Sequence, residues 1–177
     1  MKRVSVLVTV VAMFFLGFGA NAQTKIKLAH VNSSELVKIM PGVDSAQKAL
    51  QDEIKLWEET VETMNMEFEK KKEIFLREQP TMSKNMQDVK MGELQDLMQR
   101  IENTEKQAQS ALQDKHEELF KPIIDRMKKA IEEVAKENGY NYVFDSGGIG
   151  ASGMNILLYS DDSDDIMNIV KKKLGIK

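Results

Sequence analysis

The chain has 177 residues, with 25 Lys and Arg against 28 Asp and Glu, two histidines and no cysteine. The slight acidic balance argues against a nucleic-acid partner, which needs a basic face. Without cysteine there are no disulfides and no thiolate chemistry, and an exported chain escapes mispairing in an oxidising compartment.

Residues 1–22 read as a cleavable secretory signal peptide. Lys2 and Arg3 precede an uncharged apolar run from Val4 to Phe18, and Ala20-Asn21-Ala22 offers the small residues that a signal peptidase accepts. The mature chain is expected to begin near Gln23 and to be soluble. Losing Lys2 and Arg3 lowers the basic count from 25 to 23 against 28 acidic residues, a formal charge of −5. About 155 residues remain, enough for one ordinary domain.

Ile26, Leu28 and Val31 suggest a first strand, and Asn32-Ser33 caps a short helix from Glu35 to Met40. Pro41, Pro80 and Pro122 then divide the mature chain into two nearly equal pieces. Both are rich in Glu, Lys, Gln, Met and Leu and poor in glycine, so both read as helix. In the first, Val43, Ala46, Leu50, Ile54, Trp57, Val61, Met64 and Phe68 recur at the steps of three and four that mark a helix packed on another helix. The second carries a looser stripe, Met82, Met86, Val89, Leu94, Leu97, Ile101, Ala108, Leu112, Leu119 and Ile123.

Between them, Pro80 disfavours helical geometry at Gln79, and Thr81 or Ser83 can cap a new helix. The outcome is an antiparallel helical hairpin with arms of roughly 55 Å, longer than a compact domain of this size can contain. The arm is expected over residues 44–121, with its tip near 79–83. Pro122 sits in a pattern that stays helical to Asn138-Gly139, so it is expected to kink the helix where the returning arm meets the body.

The remainder, residues 23–43 and 122–177, forms a β-rich body. Tyr142–Asp145 and Ile156–Tyr159 suggest two more strands. Asp161 to Asp165 opens a last helix from Ile166 to Leu174, where acids at the start and lysines at the end suit the helix dipole. Three strands and two short helices are a weak anchor for such long levers, so a shared core in a homo-oligomer is expected. Its candidate residues are Ile26, Leu28, Val31, Tyr142, Phe144, Ile156, Leu158, Ile166, Ile169 and Val170. The fold class is α+β: a small β body, shared in an oligomer, with a long protruding coiled-coil-like hairpin.

One motif points elsewhere. Gly148-Ile149-Gly150-Ala151-Ser152-Gly153 follows a strand-like run and matches the G-x-G-x-x-G spacing of dinucleotide-binding loops. That fingerprint needs a helix at its end and a βαβ unit around it. A strand-like run follows instead, and the segment upstream is a long helix, so the glycines are expected to form a flexible connector. No nucleotide, metal or other cofactor is expected. His30 and His116 lack partners at ligand spacing, and the acidic run lacks the glycine and distal glutamate of a calcium loop.

The opening "IKLAHVNSSELVKIMPGVDSAQKALQDEIKLWEE", the charged hairpin and the closing "YNYVFDSGG…ILLYSDDSDDIMNIVKKKLG" resemble the Skp/OmpH family of periplasmic chaperones across essentially the whole mature chain. The resemblance implies a periplasmic homotrimer with a β body and three helical tentacles. Such proteins bind unfolded outer-membrane proteins, keep them from aggregating and deliver them without ATP, with transient contact to a membrane surface. Family members are often strongly basic, whereas residues 61–100 here hold seven basic and eight acidic residues.

Methionine supplies the physical case for such binding. Met64, Met66, Met82, Met86, Met91 and Met98 lie in the outer halves of the arms, and a flexible, polarizable side chain repacks around unlike partners. Phe68, Phe75 and Leu94 add apolar contact. Met64 and Met82 fall on the stripes and fit the helix–helix seam; Met66 and Met91 fall off them and are the stronger candidates for client contact. A periplasmic adaptor hairpin without chaperone activity is the alternative reading, and no nucleophile setting marks an enzyme.

Overall fold

The computed structural model describes residues 25–148 and 157–176. Strand β1 (Leu28–Val31) runs into Asn32, whose Oδ1 accepts the Glu35 N–H at 3.0 Å and caps α1 (Ser33–Lys38). Gly42 then adopts a φ of 97°, a region that a side chain would strain, and α2 (Val43–Glu78) begins. The break falls where the proline places it. Gln79–Thr81 form a 3-10 turn around Pro80, Ser83 Oγ accepts the Met86 N–H at 3.3 Å, and α3 runs from Lys84 to Asn138.

At 1.5 Å per residue, the 36 residues of α2 span roughly 54 Å and the 55 of α3 roughly 82 Å. Helix α3 continues through Pro122, whose ring withholds one backbone donor. Around that proline the arm joins the body: Ile123 enters the core, and Arg126 Nη2 donates to the Pro41 carbonyl at 2.8 Å. Gly139, at a φ of 70°, ends the helix in a left-handed cap.

Strand β2 (Tyr142–Asp145) pairs with β1 in parallel, Leu28 opposite Tyr142 and Val31 opposite Asp145. The entire hairpin is therefore the crossover between two parallel neighbours. This corrects the expectation that β2 has only a helix upstream and no parallel partner. The expected third strand is also absent over its described part: Leu157–Tyr159 form no strand, and Ile156 lies outside the described residues. The physical reason is visible in burial. Leu158 and Tyr159, adjacent in sequence, are both strongly exposed, so no alternation fixes a register there.

The second edge of β1 instead meets Asp165 in a single parallel bridge, and the Ile166 N–H donates to the His30 carbonyl at 3.0 Å. Helix α4 (Met167–Lys173) follows, started by Asp165 Oδ1 accepting the Met167 N–H at 2.7 Å. Its Lys173 reaches Glu133 on α3 at 3.1 Å.

One face of the two-stranded sheet, carrying Ala29, Val31 and Val143, packs on Leu36, Val43, Ile123, Met127, Val134, Ile166 and Val170. Leu36, Val134, Ile166 and Val170 are fully buried, and each such side chain contributes about 1.5–3 kcal/mol. The class is α+β, a mostly helical chain whose long hairpin leaves a small body. Residues 1–22, where a signal peptide is expected, and the glycine-rich stretch from Ile149 to Asn155 lie outside the described residues.

Candidate functional site

The α2 stripe from Val43 to Phe68 is buried or half-buried throughout, as its spacing requires. On α3 the seam is carried by Leu94, Leu97, Ile101, Ala108, Leu112, Leu119 and Ile123. Its outermost part corrects the expected stripe. Met86 and Val89 are exposed, and Gln87 and Lys90 take the half-buried places. Counting back from Leu94 in steps of four and three reaches 90 and 87, so the apolar pair is out of phase. Gln87 earns its position at the turn: its Nε2 donates to the carbonyls of Gln79 at 3.1 Å and Met82 at 3.2 Å.

The candidate contact residues separate into two groups. Met64, Phe68, Met82 and Leu94 are half-buried in the seam, and Phe75 is only 7% exposed. Met66 (58% exposed), Met86, Met91 and Met98 project from the arm. Met91 and Met98 are seven residues apart and share a flank, separated by about 10.5 Å along the axis. Met86 and Val89 share a different one. Leu56, Leu76 and Val89 are also exposed, and sequence reasoning passed over their availability. The available signal was phase, because Leu56 and Leu76 interrupt the charged faces of α2 away from its stripe.

Near the tip the two helices enclose an open cavity of about 160 Å³. Its apolar lining is Ile74 and Phe75 from α2, Met82 from the turn and Leu94 from α3. Charged side chains of both signs rim it: Lys71, Glu78, Lys90 and Glu93. Lys71 pairs with Glu67 at 2.8 Å and Lys90 with Glu93 at 2.8 Å. The Lys71 ammonium holds the Glu67 carboxyl below its ordinary range, and Lys90 does the same for Glu93, in each case mainly through the hydrogen bond. These pairs are exposed, so they keep the rim charged and solvated rather than stabilising the fold.

The second feature is the outer face of the sheet. Because β1 and β2 are in parallel register, Leu28 and His30 share this face with Tyr142 and Phe144. Tyr142 and Phe144 stack at 6.4 Å and are 60% and 44% exposed. Ile26, Leu28, Leu158 and Ile169 are exposed as well. Val31, Ile166 and Val170, by contrast, belong to the chain's own core. His30 is buried, with Nε2 3.1 Å from the Asp161 carbonyl and Nδ1 without a partner among the described residues. His116 stacks on Phe120 at 4.6 Å. Among the described residues no His, Asp and Glu cluster could hold a metal, and no helix is long and apolar enough to cross a membrane.

A small α+β body bearing one long helical hairpin, with apolar side chains left exposed along the arm, defines a tentacle-type protein. The sequence model of the family described as "Outer membrane protein (OmpH-like)" matches residues 27–174. The chain belongs to that family. It is 30% identical over 146 residues to the chaperone protein Skp of Photorhabdus luminescens, covering 80% of this chain and 87% of that one. It is also 26% identical over 176 residues to an uncharacterized protein of Aquifex aeolicus, covering 98% and 96%. The fold matches a crystal structure of a candidate OmpH-like outer membrane chaperone from Caulobacter crescentus, with a TM-score of 0.67 at 10% identity, over 88% of each chain.

Proposed function

We propose that this protein is an ATP-independent periplasmic holdase that keeps unfolded outer-membrane β-barrel proteins from aggregating and passes them on for assembly. The observation that carries the reading is the set of exposed apolar side chains on the arm, Met66, Leu76, Met86, Val89, Met91 and Met98, on a chain of the OmpH-like family. Many weak, adaptable contacts hold a collapsing chain without selecting one sequence. Met64, Phe68, Phe75, Met82 and Leu94 then act from the seam and the tip cavity. Release follows competition, as the client folds into a membrane or passes to an assembly machine.

The working form is a homotrimer with three arms around one client. Its support is the outer sheet face, where Leu28, Tyr142 and Phe144 leave apolar surface that a second copy would cover. Ile26, Leu158 and Ile169 extend that surface. The near-neutral outer arms leave apolar contact, rather than net charge, as the main attraction, and any membrane contact is transient.

The test is light scattering from a diluted, urea-unfolded outer-membrane protein with and without a molar excess of the mature chain. Suppression of scattering without nucleotide is expected; unchanged scattering overturns the reading. Sedimentation at micromolar concentration should give a trimer, and a monomer there contradicts the shared core.

A further inference from the structure

We propose that the tip cavity seats one aromatic side chain of the unfolded polypeptide held by the arms. The proposal deepens the holdase reading and rests on it. Size is the first argument: at about 160 Å³ the cavity matches an apolar cavity of ~150 Å³ that takes up a benzene ring. Lining is the second. Ile74, Phe75 and Leu94 offer flat and branched apolar contact, and the Met82 thioether favours a ring edge.

Charge is the third. Lys71 and Lys90 balance Glu78 and Glu93 around the rim, so a charged occupant gains nothing there and a neutral one is not repelled. Clients of the proposed class supply such rings regularly. Strands of outer-membrane barrels alternate apolar and polar residues and carry aromatic girdles at both ends. One ring per strand would fix the unfolded chain at the tips, while the methionines along the arm hold the rest loosely.

The probe is a dansyl-labelled ten-residue peptide of alternating leucine and serine with a single central phenylalanine, compared with the same peptide carrying alanine there. Both are titrated against the full mature protein and against Ile74→Trp, which fills the cavity from its half-exposed edge. The wild type should bind the phenylalanine peptide about tenfold more tightly than the alanine peptide, the scale of burying one ring. Ile74→Trp should lose that preference and bind the two peptides alike.

Equal wild-type affinities for the two peptides overturn the proposal, as does a full preference retained by Ile74→Trp. Should the variant's melting curve change, a benzophenone in place of the phenyl ring decides the matter in the wild type. Crosslinks at Ile74, Met82 or Leu94 support the cavity, and crosslinks confined to Met91 and Met98 overturn it. The scattering assay separates the two readings: a wild type with ring preference but no effect on aggregation sinks the holdase reading and leaves the cavity standing.

Discussion

Asp145, the last residue of β2, holds Ser33, the first residue of α1, through both of its carboxylate oxygens. Oδ1 accepts the Ser33 N–H at 3.1 Å and Oδ2 accepts the Ser33 hydroxyl at 2.5 Å. Oδ1 also accepts the Gly147 N–H at 2.8 Å. The two residues are 112 positions apart, so this clasp closes the body across the whole arm. Partial burial pushes the Asp145 carboxyl up, but the hydrogen bonds from Ser33, Gly147 and Gly148 outweigh it and leave the group below its ordinary value.

A depressed carboxyl contributes stability above its unfolded-state pKa, near 3.9, and that contribution is lost as pH falls through the lower folded value. Asp145→Asn should therefore lower stability at pH 7 by about 1 kcal/mol, a modest value because the group remains partly in water. The difference should shrink as pH falls below the unfolded value and vanish once the folded carboxyl is itself protonated. Thermal unfolding across pH checks this, and a constant difference down to pH 2 would contradict the clasp.

Gly147 is required by space. A Cβ there would overlap the Asn32 side-chain amide that caps α1 and would sit 3.0 Å from the Ser34 nitrogen. Gly147→Ala should displace the cap and cost about 1–2 kcal/mol. Circular dichroism melting should show the loss, while the same change at Gly92 should not.

Gly92 lies inside α3, and a Cβ added to it would meet nothing within 4 Å. Glycine in a helix interior costs roughly 0.5–1 kcal/mol relative to alanine. Gly92→Ala should stabilise the outer arm by that amount, read as slower amide exchange around residues 84–100. Unchanged exchange would show that arm stability is not limited there.

Replacing Met66, Met91 and Met98 together by serine should weaken suppression of client aggregation severalfold, with the melting temperature unchanged, because all three are exposed. Met64→Ser should do the reverse, since that side chain is half-buried in the seam. Its loss should cost about 1–2 kcal/mol and affect holding only through the fold. If both variants lower holding equally at equal stability, exposure is not the deciding variable.

Lysine at both Leu28 and Phe144 should place two charges on the outer sheet face without entering the core, since both side chains are exposed on the single chain. Sedimentation should then report a folded monomer at concentrations where the proposed trimer of the wild type is expected. A trimer in both would show that another surface joins the copies.

Much of this architecture is written along the chain because it is local. The caps at Asn32 and Ser83, the break at Pro80 and the three-and-four spacing of α2 each depend on residues a few positions apart, so the hairpin is legible before any contact is known. The arm's exposed methionines were legible for the same reason: Met66 and Met91 leave the stripe, and both project from the helix. Met86 and Val89 misled because α3 carries a weaker pattern, and the turn needed an amide at Gln87 more than an apolar residue in phase.

What only the tertiary structure decided lies across the 110-residue gap between β1 and β2. Parallel pairing, the single bridge at Asp165 in place of a third strand, and the division of the body's apolar residues into a buried and an outward set are non-local. Strand alternation says which residues share a face, but not which face the helices cover. Val31, Ile166 and Val170 went inward because α1, α3 and α4 close over that side; Leu28, Tyr142 and Phe144 were left outward by the same packing. The tip cavity has the same origin, for its apolar lining comes from two helices and the turn between them.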